Sequence, residues 1–211
     1  YISDDQVSRM HGHGFATLAL AMAAGGLGGR NTQEIRTWLA GSADRDPAGL
    51  PLADQVRYAL SEAVHCIERS QDLDTGGWYY EPYEQGHEGS MTVTQIIALR
   101  AARDVGVSVN DAVLARAYDY VRASQNHQPG ENYGAFAYQK NQMGRVSYAL
   151  TAAAISTLYG LERYGLESED RKMIDDGLKY MDRTIDATLS VDQWFYYSLF
   201  YGAQAIYQSQ D

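Results

Sequence analysis

The chain has 211 residues, with 17 basic and 27 acidic side chains and a formal net charge of −10 at pH 7. This length can bury one hydrophobic core, so we expect a single domain over residues 1–211. The acidic balance argues against binding to nucleic acid or to an acidic membrane surface. The single cysteine, Cys66, excludes an internal disulfide. The first residue is Tyr1 rather than Met, which indicates a longer precursor and slightly favours an exported protein.

In chain order, four segments have helical composition and almost no charge. A helix that is apolar all round must be enclosed by protein or lipid, so these segments predict interior helices. None reaches the roughly 18 apolar residues of a membrane-spanning helix, so we expect no transmembrane segment. The four segments are residues 14–24, 91–99, 146–161 and 193–207.

Amphipathic segments alternate with these charge-free ones. Residues 52–70, 111–124 and 169–186 each place apolar side chains on one face and charged side chains on the other. A shorter amphipathic helix is predicted at residues 32–40. The alternation predicts an all-α fold in which amphipathic outer helices surround charge-free inner helices. Gly25, Gly106 and Gly165 are expected to end the first three inner helices.

A repeat of almost 60 residues runs through the middle of the chain. Trp78, in a Gly-Gly-Trp turn, corresponds to Phe136, in a Gly-Ala-Phe turn, 58 residues later. Gly106 and Gly165, which follow two inner helices, are 59 residues apart. Each unit therefore consists of an outer helix, a Gly-aromatic turn, a polar loop and an inner helix. Repeats of this length indicate stacked supersecondary units.

At these turns the chain resembles the terpenoid cyclase and protein prenyltransferase superfamily, in the repeats known as QW motifs of squalene cyclases. Tyr120-Val121, Gln125 and the Gly134 turn follow the pattern well, and Ile67, Gln71 and the Gly76 turn follow it with Cys66 in the aromatic place. Tyr180-Met181 keeps only the first half of a third copy. The resemblance implies an α/α toroid of about four helix pairs, open or incomplete. It also implies a scaffold role for the repeat residues, which are Gln71, Trp78, Gln125 and Phe136.

The catalytic motifs of this superfamily are incomplete in the chain. Asp72-Leu73-Asp74-Thr75 lacks the last acid of the cyclase motif Asp-x-Asp-Asp, and it lies in a repeat turn. The sequence contains no Asp-Asp-x-x-Asp motif for magnesium and diphosphate, and no Asp-x-Cys step for zinc. The sequence therefore leaves open whether the protein is an enzyme.

In an α/α toroid the loops that lead into the inner helices emerge at one end of the ring, here called the mouth. One interpretation of the mouth residues is a ligand pocket, and another is polar capping of helix starts. A zinc site at His11, His13 and His87 is a further possibility, but no other cofactor is expected. The tyrosines of the last helix are either core or the wall of an aromatic cavity. The candidate ligand-binding residues are His11, His13, His87, Glu88, Arg145, Tyr148, Trp194, Tyr197 and Tyr201.

Three functions remain compatible with the sequence. The first is a binding or scaffold domain whose aromatic cavity holds a small apolar molecule or a peptide, without cyclase chemistry. The second is a terpenoid cyclase or prenyltransferase-like enzyme. The third is a carbohydrate-active (α/α) barrel, which would pair Glu84 or Glu88 with a second carboxylate such as Asp192. The sequence makes no prediction about the oligomeric state.

Overall fold

The computed structural model of the chain describes residues 7–160, 168–191 and 194–210. Over these residues the regular structure is helical, which confirms the all-α class, and the only β-type pairing consists of isolated bridges at the repeat turns. A 3-10 turn, Pro47–Gly49, precedes α3. The α-helices are α1 (Arg9–Leu27), α2 (Thr32–Ala40), α3 (Leu52–Arg69), α4 (Gly89–Asp104), α5 (Asp111–Ala123), α6 (Tyr148–Tyr159), α7 (Ser168–Val191) and α8 (Phe195–Gln208).

Polar side chains at the predicted boundaries start several of these helices. Asn31 accepts a hydrogen bond from the backbone N–H of Glu34, whose side chain reaches back to the N–H of Asn31, so α2 begins with a capping box. Asn110 starts α5 and Ser147 starts α6 in the simpler way, by accepting one backbone N–H bond each. Local chemistry therefore explains why these helices begin where they do.

Helix α1 differs from the sequence prediction at both ends. It begins at Arg9, so His11 and His13 lie within the helix rather than in a loop before it. It also continues through Gly25 and ends at Leu27, where Gly28 adopts a φ of 69°. The prediction that Gly25 ends α1 is therefore wrong. Any of several adjacent glycines can adopt the left-handed conformation that ends a helix, and here Gly28 does so.

The charge-free helices pack in a row: α1 contacts α4, α4 contacts α6, and α6 contacts α8. The amphipathic helices cover this row, with α3 against α1 and α4, α5 against α4, and α7 against α6 and α8. Helix α6 buries ten of its twelve residues, from Tyr148 to Leu158. The prediction that charge-free segments are enclosed is therefore confirmed for α6, and α4 is buried on nearly all sides as well.

The same prediction is wrong for the two helices at the ends of the row. Met22 of α1 and Tyr207 of α8 are 72% and 78% exposed, although neither helix presents charge on that side. The exposed residues of each helix show that one of its faces has no helix packed against it. Hydrophobic composition alone does not reveal which inner helix is the last one.

The two repeat turns share one hydrogen-bond pattern. Gln71 Nε2 donates to the carbonyl of Gly76, in its own turn, and to the carbonyl of Val113 in α5, both at 2.9 Å. Gln125 Nε2 donates in the same way to Gly134, at 3.0 Å, and to Met173 in α7, at 2.7 Å. Each buried glutamine thus ties its turn to the following outer helix.

The glycines and aromatic residues of these turns also play equivalent parts. Gly76 and Gly134 both have φ of +84°, and a Cβ on either would lie 2.3 Å from a backbone carbonyl oxygen of the next outer helix. The backbone N–H groups of Trp78 and Phe136 each donate to a threonine hydroxyl, of Thr92 and Thr151. Both hydrogen bonds are buried, so these groups stabilise the turns and do not contact solvent.

Among the described residues, no helix combines the length and the apolar character needed to cross a bilayer.

Candidate functional site

The first turns of α1, α4 and α8 meet at one end of the helix row, the mouth. The rings of His11 in α1 and Tyr197 in α8 have centroids 6.4 Å apart, and His11 stacks on Phe15 at 5.6 Å. Ser8, before α1, donates a hydrogen bond to the sulfur of Met91 in α4. The structure therefore brings together residues that are far apart in the sequence.

Glu88 lies at the centre of the mouth and is fully buried. It is the N-cap of α4, where its carboxylate accepts the backbone N–H groups of Ser90 and Met91, each at 3.0 Å, and the Ser90 hydroxyl. Burial raises the pKa of Glu88, although these hydrogen bonds and Arg145 act in the opposite direction. A buried carboxyl whose protonated form is favoured is typical of functional sites, and it is also compatible with a structural cap.

Tyrosines surround this carboxyl. The hydroxyls of Tyr80 and Tyr138 contact each other, and the guanidinium carbon of Arg145 lies 3.7 Å from the centroid of the Tyr138 ring. Burial raises the pKa of both tyrosines, and the negative charge of Glu88 raises them further. The Arg145 guanidinium therefore packs on the Tyr138 ring in a cation–π contact, and its positive charge also attracts the buried carboxylate of Glu88.

Tyr197 and Tyr201 of α8 form the next layer, with ring centroids 4.6 Å apart. The hydroxyl of each is buried without a hydrogen-bond partner of good geometry. Burial raises the pKa of Tyr197 well above its ordinary value, and Tyr201 and Glu88 raise it further. Burial also raises the pKa of Tyr201 to about 12, while the neighbouring Thr94 partly offsets the effect. Both hydroxyls therefore remain protonated at neutral pH.

His13 and His87 do not join this group. The Nε2 atom of His13 lies 3.1 Å from the carbonyl oxygen of Ala63 in α3, so the ring packs between α1 and α3. The Nδ1 atom of His87 lies 3.0 Å from the hydroxyl of Tyr120 in α5. Burial lowers the pKa of both rings, and Lys140 lowers that of His87 further, so both are neutral at pH 7. The His13 ring is therefore directed towards α3 and the His87 ring towards α5.

Two further candidates lie apart from Glu88. Tyr148 is buried between α6 and α8, where its hydroxyl would lie 2.8 Å from a Cβ at position 202. It packs the helices together rather than facing open space. Trp194 is 61% exposed and lies one turn before Tyr197 and Ser198. It therefore extends the mouth towards solvent.

The residues of the zinc and carbohydrate interpretations have separate positions. No three His, Cys, Asp or Glu side chains in the described part of the chain lie close enough together to hold a metal ion. Glu84 is exposed and accepts the backbone N–H of Glu81, whereas Glu88 is buried. Asp192 lies outside the described residues.

Asp72, in the string that resembles part of the cyclase motif, is buried in the repeat turn. Burial alone would raise its pKa, but bonds from the backbone N–H groups of Thr75, Gly86 and Asp74 outweigh this and lower it. A carboxylate held in this way stays ionised. Its hydrogen bonds to the backbone of Asp74, Thr75 and Gly86 stabilise the turn.

Two pockets lie near the repeat turns. A half-open pocket of about 10 Å³ lies between Gly89, Tyr120, Phe136 and Leu150, which is room for one water molecule. A larger and open polar pocket of about 340 Å³ lies on the second repeat loop, between Asn126 and Gly144. Neither has the closed apolar volume that a folded isoprenoid chain would need.

Sequence reasoning missed Tyr80 and Tyr138. They are 58 residues apart, the same offset that relates Trp78 to Phe136, so they are equivalent positions of the repeat. The repeat itself was therefore the signal, because equivalent residues of adjacent units lie side by side when units stack.

Comparisons of the chain with protein-family models, with curated proteins and with solved structures find no significant match.

Proposed function

We propose that the chain is a helix-pair repeat domain that forms part of an α/α toroid, and that it binds an apolar molecule or a peptide at the mouth without cyclase chemistry. The order in which α1, α4, α6 and α8 pack, with α3, α5 and α7 on their outer sides, supports the toroid. The shared hydrogen bonds of Gln71 and Gln125 support a relationship to the superfamily with QW repeats.

The observation that carries the binding proposal is the exposed aromatic group at the mouth. Trp194 and Tyr196 are 61% and 84% exposed, and the Tyr196 ring packs on Phe195 with centroids 5.5 Å apart. On α1, Phe15 stacks on His11, whose ring centroid lies 6.4 Å from that of Tyr197. Large aromatic side chains in water are unfavourable, and when they cluster they usually mark a binding surface. Arg145, whose guanidinium lies over Tyr138, adds a cation at the same end for a polar group of the ligand.

Binding is favoured over acid catalysis by the contacts of Glu88. Both of its carboxylate oxygens already accept hydrogen bonds from the first turn of α4. The half-open pocket that begins at the next residue, Gly89, accommodates about one water molecule. A cyclase acid instead has to face a closed apolar cavity that holds the whole substrate. The second candidate, an isoprenoid cyclase or transferase, would require Glu88 to release these bonds.

The fluorescence of Trp194 tests the proposal. Trp78 is buried and Trp38 is half-buried, so an apolar ligand at the mouth changes mainly the environment of Trp194. Titration with farnesol, or with a Leu-rich amphipathic peptide, is expected to shift the emission to shorter wavelength. Trp194→Phe removes the shift, and the matched variant Trp38→Phe keeps it. If neither probe shifts the emission or releases heat in calorimetry, the binding proposal is wrong.

A further inference from the structure

Arg145 presents its guanidinium to solvent at the mouth in a fixed orientation. The residue is exposed, and its guanidinium carbon lies 3.7 Å from the centroid of the half-buried Tyr138 ring. Stacking on an aromatic ring holds the planar group in place, so less freedom is lost when it binds a ligand. Glu88 attracts this charge, but the Glu88 oxygens accept hydrogen bonds from Ser90 and Met91 instead. Among the described residues, the guanidinium N–H groups of Arg145 therefore have no acceptor and can bind a ligand.

Two tyrosine hydroxyls lie next to this guanidinium. The hydroxyls of Tyr80 and Tyr138 contact each other, and both rings are half-buried. Only one proton can lie between the two oxygens, so the second hydroxyl keeps a proton that it can donate. The Tyr138 hydroxyl is on the ring that Arg145 covers, so the hydroxyl pair and the guanidinium can contact the same ligand group. Because both contribute donors and one is a cation, the group that fits between them is a negatively charged acceptor.

We infer that the apolar ligand of the mouth is a carboxylic acid, whose carboxylate binds between the Arg145 guanidinium and the hydroxyls of Tyr80 and Tyr138. This inference rests on the proposed function, because the apolar part of the ligand is the part that contacts Trp194 and Tyr196. The charge of Glu88 interacts both with Arg145 and with Tyr197 of α8. The cation and the aromatic residues of α8 therefore border the same buried carboxyl, and one ligand can contact both.

The charges at the mouth favour a carboxylate over a phosphate. The fork of an arginine matches the two oxygens of a carboxylate, with two parallel N–H···O bonds. A phosphate ester carries close to two negative charges at neutral pH and needs more positive charge around it. The other arginine at this end of the helix row, Arg9, already pairs with Glu81 at 3.3 Å. Since the chain has a net charge of −10, it repels anions over most of its surface, so the carboxylate has to be held by Arg145 itself.

A small acid is also favoured over the C-terminus of a peptide. Every peptide residue brings an N–H and a C=O group that need partners when they are buried. The exposed side chains beside the mouth on α8, Trp194 and Tyr196, offer mainly aromatic surface. The first N–H groups of α4 already donate to Glu88. An apolar chain without amide groups therefore suits this surface better.

Farnesoic acid and farnesol test the inference, because they share one chain and differ at the terminal group. Trp194 emission and calorimetry give both Kd values at pH 7, where the acid is ionised. We expect the acid to bind about 10-fold more tightly, as for a charge-assisted hydrogen-bonded pair at a partly exposed site. Arg145→Gln should bring the ratio of the two Kd values to about one, since the cation is then lost. Arg9→Gln is the matched control and should keep the ratio, because Arg9 is paired with Glu81.

Salt gives a second readout. Raising NaCl from about 0.05 to 0.5 M should reduce the preference for the acid, because Arg145 is exposed and salt screens its charge. Equal affinities of the wild-type chain for the two probes overturn the inference and leave the proposed function standing. So does a preference for the acid that Arg145→Gln leaves intact, or a preference shown only by a Leu-rich peptide with a free rather than an amidated C-terminus. If neither farnesol, farnesoic acid nor the peptide binds, the proposed function is wrong and this inference is wrong with it.

Discussion

Gln125 is expected to be one of the most important polar residues for stability, although it lies far from the mouth. Its buried Nε2 group donates to the carbonyls of Gly134 and Met173, at 3.0 and 2.7 Å, and so joins the second repeat turn to α7. Gln125→Ala removes both bonds and leaves two carbonyl oxygens without their donor. Water cannot easily replace that donor, because Gln125 is only 3% exposed.

The magnitude follows from these two bonds. An intramolecular hydrogen bond contributes about 1 kcal/mol net, and a buried group left unpaired costs about 1–3 kcal/mol. Some of the loss is recovered if a water enters the space, so we expect Gln125→Ala to lower the free energy of unfolding by about 3 kcal/mol. For a domain of this size, that corresponds to a decrease of about 6–12 °C in Tm.

Chemical denaturation followed by circular dichroism measures this change. Gln33→Ala is the matched control, because Gln33 is exposed on α2 and the same substitution there changes the unfolding free energy by less than about 0.5 kcal/mol. If Gln125→Ala is no more destabilising than Gln33→Ala, the bond to α7 does not stabilise the fold and the reasoning is refuted. Gln71, which joins the first turn to α5, is expected to behave as Gln125 does.

Three further predictions concern single positions. Gly134→Ala places a Cβ 2.3 Å from the carbonyl oxygen of Asp176 at a φ of +84°. We expect it to lower the free energy of unfolding by more than the about 1–2 kcal/mol that left-handed backbone alone costs. Thermal melts measure the change, and Gly144→Ala, which has open space around its Cβ, should be nearly neutral in the same assay. The pKa of His87 is lower in the folded protein than the value of about 6.5 in the unfolded chain, so the neutral ring favours folding above that pH. This stabilisation is lost as the pH falls and the ring must take up a proton. The unfolding free energy of His87→Phe should therefore decrease less between about pH 7 and 5. The pKa of Glu88 is higher in the folded protein than in the unfolded chain, so the protonated carboxyl favours folding below about pH 4.5. This stabilisation is lost as the pH rises through the pKa of the folded protein. The unfolding free energy of Glu88→Gln should therefore depend less on pH above about pH 4.5. An unchanged pH profile in either variant would contradict the assignment of these shifts.

Most of the helices and the repeat could be predicted from the sequence. Three-residue and four-residue periodicity identifies α3, α5 and α7, because their charged faces contrast with their buried ones. The 58-residue offset between Trp78 and Phe136 identifies the repeat turns, since these positions need glycine and an aromatic residue for local reasons. The candidate site was harder, because it depends on where side chains point. The charge of Glu88 interacts with Arg145 and Tyr197, whereas the His13 ring contacts α3 and the His87 ring contacts α5.

The amino-acid pattern by itself determined that this protein is built of alternating charge-free and amphipathic helices joined by a repeated turn. It could do so because periodicity, capping and turn chemistry act over a few residues. Only the tertiary structure decided which charge-free helices are enclosed: α6 and most of α4 are buried, while α1 and α8 keep an apolar face in water. The physical reason is that burial depends on the neighbours a helix acquires, and those come from distant parts of the chain. The same reason applies to Glu88, whose pKa is raised by an enclosure that no local stretch of sequence encodes.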